Sequence, residues 1–247
     1  MSGFVIVSLV IQVLLIVHVI KTGRNQIWIW VLALLSFAGA IAYICVELVP
    51  DVFRSRTAQR TARGLRKAMD PMADLRRYEN EARITGNVAT RQRYAEELSR
   101  QGRHDEAIVQ FREALTGLYE HDPNLMLGVA RAQFAKGDAT HARQTLDELI
   151  RLNPDFRSPE GHLLYARALE GEGNVPKALE EYKLLAFSYP GAEAAVRYAQ
   201  LLKSQGRTEE SAQVARELLE QARIAPAHYR KAQREWLDGA SRLAAGR

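Results

Sequence analysis

The chain has a single cysteine, Cys45, and it lies inside an apolar run. No intramolecular disulfide can form, and a thiolate metal site would lack further sulfur ligands. The six histidines, His18, His104, His121, His141, His162 and His228, form no His-Glu-x-x-His or other metal-ligand spacing. His104 and His141 occupy equivalent turns, which suggests exposure. Walker loops, dinucleotide fingerprints and Gly-x-Ser-x-Gly elbows are missing. The paired carboxylates Glu180-Glu181 and Glu209-Glu210 are neighbours in sequence, point in different directions on a helix and are expected to be solvated. Together these absences argue against an enzyme. No catalytic, cofactor-binding or metal-ligating residue is assigned, and no cofactor is expected.

Charge is scarce at the start of the chain and unevenly distributed after it. The net charge is +5, from 34 Lys and Arg against 29 Asp and Glu. Eight of the basic residues but only Glu47 and Asp51 of the acidic ones precede residue 70, which leaves 26 against 27 from residue 70 onward. The basic character therefore belongs to the first part of the chain. Nucleic-acid binding by the larger part is not expected, because phosphate recognition needs a basic face there.

Residues 3–20 and 27–49 are nearly uncharged. As helices they would be roughly 27 and 34 Å long at about 1.5 Å per residue, enough for a hydrocarbon core of about 30 Å. The six residues KTGRNQ separate them. The expectation is a transmembrane helical hairpin over 1–50. Trp28 and Trp30 would lie at an interface, Ala33, Gly39, Ala40 and Ala42 would allow close helix approach, and Pro50 would end the second span. Six basic residues follow the second run and two lie in the turn. The positive-inside rule then places both termini, and the domain that comes after the hairpin, in the cytoplasm. The expected localisation is integral and two-pass, in a bacterial inner membrane. Residues 51–69 form a basic linker or helix, in which Arg56, Arg60, Arg63 and Lys67 recur on one helical face. That face suits anionic lipid headgroups. The aromatic-rich start of the second run, followed by Gly39-Ala-Ile-Ala-Tyr43, faintly resembles the membrane hairpin of cardiolipin synthases of the phospholipase D superfamily. The His-x-Lys-x4-Asp motif that such enzymes would need is absent, so the resemblance implies an anchor only.

From residue 70 the text is Ala-, Leu-, Glu- and Arg-rich with Pro and Gly as punctuation, and it repeats. Tyr94-Ala95, Val129-Ala130, Tyr165-Ala166 and Tyr198-Ala199 precede Gly102, Gly137, Gly173 and Gly206, and Ala107, Ala142, Ala178 and Ser211 come after them. In each case the gaps are 8 and 5, and the glycines are 35, 36 and 33 residues apart. Phe111, Leu146 and Tyr182 come four residues after the alanines, and Pro123, Pro154 and Pro190 close or follow the second helices. This resembles the tetratricopeptide repeat (TPR), a helix–turn–helix unit of about 34 residues. The fourth unit is the weakest, with Ser211 and Ala215 at the Ala and aromatic positions. The expected fold is all-α: the transmembrane hairpin, then a TPR-type α-solenoid over 70–247. Its repeats fall at about 88–122, 123–158, 159–191 and 192–225, with a capping helix over 226–245 in which Tyr229, Ala232, Trp236, Ala240 and Leu243 form an apolar stripe.

The resemblance implies a groove lined by the first helix of each unit that binds proteins or peptides. By register its residues are Gln92, Glu96, Asn124, Leu127, Arg131, Phe134, Leu163, Arg167, Val196, Gln200 and Lys203. Arg131 and Arg167 are equivalent in adjacent units. With Asn124 and Lys203 they could hold a carboxylate, or they could instead pair with Glu96, Glu170 or other neighbours. The expected function is a membrane-anchored scaffold or adaptor binding partner proteins through this groove, with lipids contacted by the hairpin and the basic stretch. The alternative is a regulatory subunit of a membrane-envelope or lipid-synthesis assembly, in which the hairpin also contacts membrane partners.

Overall fold

The computed structural model describes residues 13–21, 25, 27–34, 38, 42–44, 46, 70 and 72–246. The chain divides into two compact units, Met1–Ala73 and Asp74–Arg247. In the first, residues 13–21 are helical and α1 spans Ile27–Leu34. Val19, Leu32 and Tyr43 are buried together. The Trp28 and His18 rings meet Tyr43 edge-on, with centroids 5.3 and 6.3 Å away.

This corrects the expectation of a two-pass integral membrane protein. Among the described residues no helix is long and apolar enough to cross a membrane. The physical reason is length. The eight residues of α1 rise about 12 Å, against the roughly 30 Å of a hydrocarbon core. The rest of the expected hairpin and the whole basic stretch 51–69, with Arg56, Arg60, Arg63 and Lys67, lie outside the described residues.

The second unit is helical throughout its described length except for turns. It contains α2 (Ala73–Thr85), α3 (Val88–Arg100), α4 (His104–Ala114), α5 (Pro123–Ala135), α6 (Ala139–Leu152), α7 (Pro159–Gly171), α8 (Val175–Ser188), α9 (Glu193–Ser204), α10 (Thr208–Ile224), α11 (Ala227–Ala232) and α12 (Arg234–Ala244). Each helix from α3 to α10 packs against its sequence neighbours, and the first helices α3, α5 and α7 also touch one another along the stack.

Local chemistry sets the helix ends. Asn87, Asp122, Asp138 and Ser158 cap α3, α5, α6 and α7 by accepting backbone N–H bonds with their side chains, and Pro123 and Pro159 take the first turn, where no donor is needed. Gly102, Gly137, Gly173 and Gly206 end α3, α5, α7 and α9 with φ of 76°, 95°, 83° and 76°. Each donates to the carbonyl three residues back. The next residue donates five back, as in Arg103 to Leu98 and Asn174 to Leu169, both 2.9 Å. This is one Schellman turn made four times, and only glycine enters it without strain.

The small residues of the repeat lie where helices cross. Ala95, Ala130, Ala166 and Ala199 on the first helices, and Ala107, Ala142 and Ala178 on the second, are fully buried. Ser211 takes the same place in the fourth unit, yet its buried hydroxyl has no hydrogen-bond partner among the described residues. Ser211→Ala is therefore expected to stabilise the protein by about 1 kcal/mol, a rise of roughly 2–4 °C in Tm for a domain of this size. A lowered midpoint in a calorimetric scan would mean that the hydroxyl has a partner.

Leu75 of α2 is buried with Ala95, Leu98 and Phe111 at the start of the stack. At the other end Ala240 and Leu243 of α12 close over Ala192, Val196, Ala199, Ala215 and Leu218. The sequence suggests one helix from Pro226, but the structure breaks it at Gln233, whose side-chain oxygen accepts the Ala192 N–H at 3.0 Å and so serves the start of α9. Ala232 is exposed as a result, while Trp236 is half-buried beneath the Arg197 guanidinium.

Candidate functional site

Two hollows run along the first helices. One, of about 790 Å³, is bordered by Gln92 and Glu96 of α3, Asn124, Leu127 and Arg131 of α5, and the 156–160 turn. The next, of about 650 Å³, is bordered by Arg131, Phe134, Leu163, Arg167, Tyr189 and Glu193. Arg131 stands on the ridge between them. The structure thus gathers the residues expected on α3, α5 and α7. Those expected on α9 are not part of either hollow: Val196 is 1% exposed and packed in the core, Gln200 faces solvent and Lys203 is half-buried. The reason is α12, which covers the side of α9 that Val196 occupies. Leu127 and Leu163 are each 4% exposed, so they are core residues that only touch the groove.

The charged residues are used differently from one another. Glu96 accepts from the Gln92 amide at 3.0 Å, and Glu170 accepts the Tyr182 hydroxyl at 2.6 Å. Burial, then that hydrogen bond, raises the Tyr182 phenol far above its ordinary range. Neither carboxylate therefore engages Arg131 or Arg167. Arg167 lies over the Phe134 ring at 4.7 Å and reaches Glu193 at only 3.9 Å, and its buried Nε has no hydrogen-bond partner among the described residues. Arg131 is exposed, and among the described residues no carboxylate lies within ion-pair distance of it. Arg131 thus faces the groove with its donors unspent, while Arg167, one repeat on, is stacked on Phe134 and paired with Glu193.

A third hollow was not foreseen from the sequence. It is a cleft of about 420 Å³ walled by Leu146, Leu149 and Ile150 of α6, the turn residues Phe156 to Pro159, His162 and Tyr165 of α7, and Glu181, Leu185 and Ser188 of α8. His162 Nε2 and Glu181 Oε2 are 2.6 Å apart. Glu181 is therefore a half-buried partner, not the solvated carboxylate expected from its sequence neighbourhood. Burial, with the Asp147 carboxylate beside it, pushes the Tyr165 phenol up to about 12, so it stays neutral at ordinary pH. The signal that could have revealed the cleft is Phe156, a large apolar residue in a turn between two prolines. His141 is exposed as expected, while His104 is half-buried. Among the described residues no group of three or more His, Cys, Asp or Glu side chains converges as metal ligands would.

Helix pairs stacked in this register make the second unit an α-solenoid. Two family models, each described as tetratricopeptide repeat, match residues 98–167 and 163–228. The chain is a TPR protein. Among solved structures it is similar to PilF of Pseudomonas aeruginosa, at 21% identity and TM-score 0.50 over 68% of this chain and 76% of that one. It is also similar to TTC0263, a TPR protein of Thermus thermophilus, at 20% identity and TM-score 0.51 over 76% and 95%. Likeness at this level shows the fold alone. No curated protein matches. The family matches begin at residue 98, so nothing in them supports the resemblance to cardiolipin synthases.

Proposed function

We propose that the second unit is a protein-interaction scaffold whose groove along α3, α5 and α7 binds an acidic segment of a partner protein. The observation that carries this reading is Arg131, exposed between two hollows with no carboxylate of its own among the described residues. Arg167 adds a second guanidinium, held by stacking on Phe134. A carboxylate between them would gain charge-assisted hydrogen bonds, worth about 1.5–3 kcal/mol each. Carboxylates that also border the groove, Glu96 and Glu160, restrict where an acidic residue can lie and so favour a defined register.

The test is capture from the native host by the full chain and by Arg131→Glu/Arg167→Glu, with crosslinking and mass spectrometry. Partners crosslinked near α5 and α7 in the wild type are expected to fall at least tenfold in the variant at unchanged circular dichroism. Equal capture by both proteins would refute the groove.

A further inference from the structure

We propose that the cleft between α6, α7 and α8 receives large apolar side chains of the same partner segment whose carboxylate lies at Arg131. This rests on the groove reading above. The first observation is continuity. Leu127, Phe156, Arg157, Ser158 and Pro159 border both the first groove hollow and the cleft, so a chain lying along α5 passes the mouth of the cleft.

The second observation is chemical. Five of the polar side chains in the cleft wall already have partners inside the protein. His162 and Glu181 hold each other, Arg157 donates to the Pro154 and Phe156 carbonyls at 2.6 and 3.2 Å, the Ser158 hydroxyl accepts the Gly161 N–H at 3.0 Å, and Ser188 donates to the Leu184 carbonyl at 2.8 Å. The surface left for a ligand is mostly carbon: Ile150 is half exposed at the rim and Phe156 and the Tyr165 ring are partly exposed, while Leu146, Leu149 and Leu185 are core residues that form only the floor. The first groove hollow is polar and apolar in nearly equal measure, and it carries an unspent guanidinium. A volume of about 420 Å³ lies within the roughly 300–1,000 Å³ of pockets that bury apolar ligands around a few orienting polar groups. The occupant that satisfies both surfaces is an amphipathic segment: an acidic residue at Arg131, and Leu, Ile, Phe or Trp side chains in the cleft.

A phage-displayed library of random dodecapeptides selected on the full chain tests this. Selected peptides are expected to carry an acidic residue and a large apolar residue at a fixed spacing. Ile150→Glu and Ser188→Glu, both at exposed positions on the rim, should each weaken a selected peptide at least tenfold. Alanine at the peptide's apolar residue should weaken wild-type binding as much, but have little further effect in those variants. Peptides lost with Arg131→Glu but indifferent to both rim variants overturn the cleft and leave the groove standing. Peptides indifferent to Arg131→Glu overturn the groove, and with it the shared segment. A library yielding no binder overturns both.

Discussion

Val in place of Gly128 is expected to lower the thermal midpoint of the protein by roughly 5–10 °C. Gly128 lies on α5 where α4 crosses it. A Cβ there would sit 2.6, 2.8 and 2.9 Å from Cε1, Cζ and Cδ1 of Phe111. Phe111 is 3% exposed and packed among Leu98, Ala107 and Leu125, so its ring can move only toward the groove hollow that it borders, at the cost of that packing. Overpacking of this kind costs about 1–3 kcal/mol, occasionally more. The helix propensity gained by removing glycine returns only a fraction of about 1 kcal/mol. Thermal unfolding by circular dichroism measures the shift, and the pair Phe111→Leu/Gly128→Val should recover part of it. An unchanged midpoint in the single variant would mean that the ring has room to move.

Ala240→Glu is expected to detach α12 and unfold the last helix pair selectively. Ala240 is fully buried against residues of α9 and α10. An unpaired carboxylate there costs several kcal/mol, whereas swinging α12 away costs the packing of one short helix. The exposed face would include Val196, Ala199 and Leu218, an apolar patch that promotes association. Hydrogen exchange should rise in α9 and α10 while α3 to α5 keep their protection, because each pair contacts only its neighbours. Loss of protection along the whole unit would mean that the stack unfolds as one body. No loss anywhere would mean that α12 does not seal it.

The repeat was readable because its determinants are local. Glycine at positive φ and alanine at a crossing point each have few substitutes, so a constant gap of 8 and 5 encodes a turn and the two helices that it joins. The break at Gln233 was not readable, because its cause is a bond to Ala192, 41 residues away. The groove positions on α3, α5 and α7 follow from the same register. Val196 does not, because whether a first helix faces solvent depends on the element packed beyond the last pair. The cleft was hidden for a similar reason: its walls come from α6, α7 and α8, and no periodicity joins them. The hydrophobic runs at the start show the opposite limit. Apolar length in sequence states what a helix could span; among the described residues no helix is long and apolar enough to do so, and Tyr43 is buried against Val19 and Leu32.

The placement of α12 also decides how long the array can be. The surface of α9 and α10 on which another helix pair would dock is already covered, and the Gln233 amide fixes that cover to the start of α9. On the proposed reading, a partner segment that ran past α7 would meet α9 with Val196 already covered by α12, so the end of the stack would favour short motifs as much as the residues that line the groove.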